Sequence, residues 1–220
     1  MRGLSFDHIA CVVERRSVAQ ALFEYLGFEA GYIRPAIGDS ETSMDTVVMH
    51  TPQNRQPLAG SAQIALMSGN DGVDSVGRRI VSQISAYYAQ RGNFFVQHIA
   101  WRCRDIHALV EAWHMRGVKF LTADEQGPHI LEDIENDRRF LQCFTYPVLE
   151  KSGTFFELKQ IIQSGDIALP TSKQFRDRNV EGLWQSVKKK MGNEELFTQN
   201  IFGEYNTTIS LRTRGIQVIT

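Results

Sequence analysis

Apolar and polar positions along this chain follow two periods, and the same succession occurs twice. "LSFDHIACVV", beginning at Leu4, has the alternation of a half-buried strand. In "AQALFEYLGF" Leu22, Phe23 and Leu26 recur at three-to-four-residue spacing, which predicts an amphipathic helix burying that face. Gly27 then marks a helix stop. The succession repeats with a displacement of 90 residues, His8 against His98. There "FFVQHIAWRC" is the strand, Leu109, Val110 and Trp113 mark the helix face, and Gly117 is the stop.

Strand-like runs follow each helix. They are "EAGYIRP", "MDTVVMHTP" and "SAQIALMSG" in the first half, and "VKFLT", "FLQCFTYP" and "GTFFELKQI" in the second. Each half therefore reads β-α-β-β-β, an internal repeat. The expected class is α+β, with two paired βαβββ modules around a half-open, barrel-like cleft and a C-terminal helix. The first module and a connecting helix, ending near Gly92, take residues 1–92. The second module takes 93–163. Residues 164–220 form a loop, a helix with Val180, Leu183, Trp184 and Val187 on one face, and a tail. The acidic stretch 124–137 reads as a surface loop.

With 220 residues, 42% of them hydrophobic, the chain can bury a sizeable core. The net charge of −1 argues against broad attraction to nucleic acid or anionic membrane, and neither is expected as a partner. Lys188–Lys190 is a short basic run within a mixed-charge helix, a solvated face. Cys11, Cys103 and Cys143 form no CxxC, and two of them sit in apolar runs, so a reduced, cytoplasmic location is expected. No signal-like N-terminus and no apolar run of about 18 residues is present.

Against this pattern three polar residues stand out. His8 and His98 occupy equivalent places inside apolar strands, and Glu157 follows Phe155 and Phe156 in "TFFELKQ". A buried histidine must satisfy its ring nitrogens, and a backbone carbonyl could do so. A buried carboxylate is costlier, and becomes tolerable beside a cation. Paired modules would bring the two histidines together. Two imidazoles and one carboxylate form a facial triad suited to non-haem Fe(II), and three protein ligands also suit catalytic zinc. His50, near a strand end, could face the same cleft. His107, His114 and His129 read as surface residues.

The pieces "DHIACVVE", "LFEYLGFEAGY", "SQISAYYAQRGNFFVQHIAWRCRDI", "RGVKFL", "FLQCFTYPV" and "TFFELKQ", spread over residues 5–160, resemble the vicinal oxygen chelate superfamily. Within it they are similar to the catalytic half of 4-hydroxyphenylpyruvate dioxygenase. The resemblance implies the paired-module fold and one Fe(II) per chain at His8, His98 and Glu157. It implies oxidative decarboxylation of an α-keto acid by O2, with hydroxylation of the same molecule. It places Gln83, Gln97 and Gln142 around substrate or iron, with Gln97 and Gln142 in catalytic positions. Phe144 matches an aromatic stacked on the substrate ring, and Phe175 and Asn179 match the closing segment.

The chain also departs from that family. Thr46 stands for a serine of the pocket, Ala59 for an asparagine near the phenol, and Val180 for a ring that closes over the substrate. A site selective for a hydroxyl needs a buried partner for it, so a different α-keto acid, or another substrate with a chelating head, is expected. The resemblance covers only the family's catalytic half, and a surface that the other half would cover is expected to be open to a homodimer. Two other readings keep the fold. One is a divalent-metal isomerase, epimerase or lyase with a fourth ligand from the first module's last strand, where "QIALM" offers Gln63 or nothing. The other is a metal-free binding protein, a class that lacks the ligand set.

Overall fold

A computed structural model describes residues 3–52, 63–124, 127–135, 138–148, 153–163 and Val187. The first half comprises β1 (Ser5–Val12), α1 (Arg16–Tyr25), β2 (Glu29–Gly38), β3 (Ser43–His50) and β4 (Gln63–Asn70). A small hairpin, β5 (Gly72–Val73) and β6 (Arg79–Ile80), leads to α2 (Gln83–Arg91). The second half comprises β7 (Phe95–Arg102), α3 (Ile106–His114), a hairpin of β8 (Ala123–Asp124) and β9 (Gly127–Pro128), then β10 (Leu131–Glu135), β11 (Arg138–Pro147) and β12 (Phe155–Gln163).

Eight of these strands form one curled mixed sheet in the order β10-β11-β12-β7-β1-β4-β3-β2. The order is symmetric about the β1–β7 pair, which is antiparallel. Each first strand is flanked by the last strand of its own half, in parallel. The remaining neighbours are antiparallel. The alternation of each strand divides its residues between two faces. On the outer face α1 packs over Cys11, Val47, Met49 and Leu66, and α3 over Leu141, Cys143 and Leu158. The inner face joins both halves in one core: Ala10, Val48, Ala65 and Met67 meet Leu121, Phe144, Tyr146 and Phe155. Ile84 and Tyr87 of α2, and Val187, lie against that core. Val187 is helical and buried, and the rest of 164–220 lies outside the described residues.

Local chemistry sets the helix ends. Ser82 and Asp105 cap α2 and α3 by accepting from the backbone N–H of Ser85 and Ala108. Gly27 and Gly117 take φ of 89° and 83° just past α1 and α3, where a side chain would be strained. The three cysteines are free and buried, and burial pushes each thiol up to about 11, so none is a ready nucleophile. No helix among the described residues is long and apolar enough to cross a membrane.

Three expectations need correction. Leu22 and Leu26 are 48% and 61% exposed, because α1 turns Ala19 and Phe23 towards the sheet instead. The strand expected at "VKFLT" is reduced to a single bridge, Phe120 to Thr145. The edge strand of the second half is β10, inside the acidic stretch read as a loop. An edge strand needs only one apolar face, and charged residues on it discourage further pairing. Glu132 of β10 pairs across to Arg139 of β11, at 2.6 Å.

Leu158, fully buried between the sheet and α3, gives a direct check of the outer core. Leu158→Ala is expected to cost about 2–5 kcal/mol. Urea unfolding of the two proteins measures the difference, and a loss under about 1 kcal/mol would mean that α3 does not pack there.

Candidate metal centre

The β1–β7 pair carries two irregularities, and both fall beside a histidine. Phe6 faces Trp101 and His8 faces Ala100, so Asp7 is an extra residue in β1. Ala10 faces His98 and Cys11 faces Val96, so Gln97 is an extra residue in β7. A bulge re-aims side chains that would otherwise alternate. The result is two adjacent buried polar residues on each strand: Asp7 and His8, then Gln97 and His98. Asp7 Oδ1 lies 2.8 Å from His8 Nδ1, and Gln97 Oε1 lies 3.3 Å from His98 Nδ1. A carboxylate or amide oxygen can only accept, so each Nδ1 carries a proton, and Nε2 is the nitrogen left to a metal.

Both Nε2 atoms point at one carboxylate. His8 Nε2 and His98 Nε2 are 3.5 and 3.4 Å from Glu157 Oε2. One ligand atom from each of the three residues lies within 4.8 Å of the others, and all three residues are buried. Ligands about 2.0–2.2 Å from a shared ion sit roughly 3 Å apart at right angles and at most about 4.4 Å apart, so the ligand atoms would close in modestly around a divalent cation. The candidate donor set is two imidazoles and a carboxylate, each oriented from behind. Gln142 Nε2 donates to Glu157 Oε1. Phe155 stacks on the His98 ring at 5.2 Å, and Phe144 meets Phe155 edge-on at 6.3 Å.

Burial alone would raise the Glu157 carboxyl, but the neighbouring His8 and His98 and the Lys159 ammonium together hold it at about 2. Burial pushes His98 below its ordinary value, against the pull of Glu157, and so favours the neutral ring that a metal requires. Asp7 is held well below the usual carboxylate range. Burial opposes this, and Lys159, His8 and Arg102 outweigh it.

The repeat allows the fourth corner of the site to be located. Ala100, two residues after His98, pairs with Glu157 on β12. Ala10, two residues after His8, pairs with Ala65 on β4. The symmetry mate of the glutamate is thus a buried alanine, a methyl group where a fourth ligand would stand. Gln63, the candidate read from "QIALM", occupies the place equivalent to Phe155.

Of the other expected residues, Gln97 and Gln142 touch the triad directly, and Phe144 reaches it through Phe155. Gln83 is buried at the start of α2. Thr46 is buried on β3, with its hydroxyl donating to Leu66 O at 3.4 Å. His50 is buried at the end of β3, its Nδ1 3.1 Å from Thr51 O. His107, His114 and His129 are exposed. Ala59, Phe175, Asn179 and Val180 lie outside the described residues. Three contributors went unread in the sequence: Asp7, Arg102 and Lys159. The signals were present, since Asp7 precedes His8 as Gln97 precedes His98, and Lys159 shares the Glu157 face by strand alternation.

The depressed Glu157 carboxyl makes the metal-free protein acid-labile in a defined window. The unfolded chain takes up this proton near the ordinary 4.5 and the folded chain only near 2, so stability falls as pH drops through that interval. Chemical unfolding of chelator-treated protein between those pH values should show a steeper loss for wild type than for Glu157→Gln. Parallel losses would mean that Glu157 is not held ionised by its neighbours.

No family model matches the sequence. Among solved structures, a mutant of 4-hydroxymandelate synthase from Streptomyces coelicolor is similar over 86% of this chain, with 20% identity and a TM-score of 0.64. The chain spans about 55% of the length of that synthase. Methylmalonyl-CoA epimerase from the same organism matches 73% of this chain and 97% of its own length, at 20% identity and a TM-score of 0.47. Both belong to the vicinal oxygen chelate superfamily. The curled eight-stranded sheet built from two paired βαβββ units is the vicinal oxygen chelate fold.

Proposed function

We propose that the chain is an Fe(II)-dependent oxygenase that oxidatively decarboxylates an α-keto acid and hydroxylates the same molecule. The observation that carries this reading is the incomplete ligand ring: His8, His98 and Glu157 converge, and Ala65 stands at the fourth symmetric position. Three protein ligands leave room for a two-point chelate and for O2. Bound there, Fe(II) would supply a Lewis-acidic, redox-active centre for the two reactants. In the overall balance the keto acid loses its carboxylate as CO2. One atom of O2 enters the new carboxylate and the other the new hydroxyl.

The protein's own residues set the conditions. Gln142 fixes the Glu157 carboxylate, leaving Oε2 to the histidines. Phe155 and Phe144 form a rigid aromatic wall beside His98. The inner face beyond it is apolar, with Val12, Met44, Val48 and Met67, and so keeps bulk water from the reacting atoms. Two of its polar groups are engaged locally: the Tyr87 hydroxyl donates to Gly153 O at 3.2 Å, and the Thr46 hydroxyl to Leu66 O. Such a surface suits a keto acid with an apolar tail, other than 4-hydroxyphenylpyruvate.

Anaerobic Fe(II) titration with a panel of α-keto acids tests the reading through the visible charge-transfer band of a chelated keto acid. Wild type should develop the band with at least one of them, and Glu157→Ala should lose it together with the iron. Ala65→Glu should hold iron and fail to develop the band, because the added carboxylate takes a chelate position. Tight binding of another divalent ion with no band for any keto acid would favour Lewis-acid isomerase or lyase chemistry instead.

A further inference from the structure

Beneath the candidate ligands lies a second set of three, drawn from the same three strands. His8, His98 and Glu157 come from β1, β7 and β12; Asp7, Arg102 and Lys159 come from β1, β7 and β12 as well. Arg102 donates to Asp7 Oδ2 through Nε at 2.9 Å and through Nη2. Lys159 Nζ is 3.5 Å from Asp7 Oδ1, and Arg102 and Lys159 are paired in the β7–β12 register. Asp7 and Lys159 are 3% and 1% exposed, so this is an ionic cluster inside the sheet, not a solvated surface pair. The same Oδ1 of Asp7 accepts from His8 Nδ1.

We propose that Asp7 is a positioning residue. It fixes His8 in the Nδ1–H tautomer with Nε2 towards the metal position, and Arg102 and Lys159 in turn fix Asp7. The proposal rests on the reading of His8 as a ligand. Three features of the geometry support it. The bulge at Asp7 exists only where it brings this carboxylate beside His8; a regular strand would send it to the opposite face. A buried carboxylate needs compensation, and each of the other two strands of the set supplies one cation. The partner of the other histidine, Gln97, is neutral, so the two imidazoles differ: an anionic acceptor raises ligand basicity more than an amide does. His8 is therefore the stronger donor of the pair, and the centre depends more on Asp7 than on Gln97.

The test compares wild type with Asp7→Asn/Lys159→Met and Asp7→Ala/Lys159→Met. Removing both charges together avoids stranding a buried ammonium. Nitrogen-15 NMR of the metal-free proteins at about pH 8, where imidazoles are neutral, reads the His8 tautomer. Calorimetric titration with Fe(II) under anaerobic conditions reads the affinity. The expected result is a single Nδ1–H tautomer in wild type and a tautomer mixture in the alanine double variant. Metal affinity should be weaker by about 10–100-fold in that variant, with a smaller loss in the asparagine one, whose amide oxygen still accepts. An unchanged tautomer and an affinity within about twofold of wild type would overturn the proposal. Loss of the tautomer preference in a protein whose wild type binds no metal would support Asp7 as the positioning group, and would overturn the ligand reading instead.

Discussion

Everything distinctive about this molecule depends on how β1 and β7 meet. They are the first strands of the two repeats, and their antiparallel pairing is the contact through which the halves share one sheet. An unbroken ladder would place alternate residues on opposite faces and would offer each histidine no neighbour on its own side. Two bulges, related by the pseudo-symmetry of the repeat, break that rule at Asp7 and Gln97. Each brings an acceptor to the Nδ1 of the following histidine, and both Nε2 atoms are thereby turned to the same carboxylate. A local defect in sheet pairing is thus what makes a convergent donor set.

The cost of this arrangement explains its surroundings. Two carboxylates, two imidazoles and a lysine lie within the sheet at 5% exposure or less. Unpaired, any of these ions would be strongly destabilising. Here they form two stacked layers: Asp7 has Arg102 and Lys159 beside it, and Glu157 lies beside the two histidines, where a divalent cation would balance it. The aromatic wall of Phe155 and Phe144 shields the upper layer. The apolar core contributed by both halves holds the strands in register. The candidate site and the fold are coupled at one place, because the same strand pair carries two of the three candidate ligands and joins the modules.

Much of this was legible in the sequence, for physical reasons. The repeat shows because each half buries one face of a strand and one stripe of a helix, and those periods survive in the residue pattern. His8, His98 and Glu157 show because polar residues in apolar strands demand an explanation. The bulges do not show, since one extra residue in a ladder leaves the run of residue types unchanged. Neither does β10, whose acidic residues look like a loop until β11 pairs with it. Leu22 and Leu26 mislead because apolar spacing on a helix does not say which stripe meets the sheet. Ala65 is the reverse case: invisible as a candidate, yet located at once when the register of one half is laid on the other.

The central claim is that His8, His98 and Glu157 hold one divalent ion and leave its remaining positions to other molecules. Diffraction at the iron absorption edge, from crystals grown with Fe(II) under anaerobic conditions, tests it most directly. A single anomalous peak about 2.0–2.2 Å from both Nε2 atoms and from Glu157 Oε2, with only non-protein atoms at the other positions, is the predicted result. A peak elsewhere, or a fourth protein ligand such as Gln63 closing the ring, would contradict it.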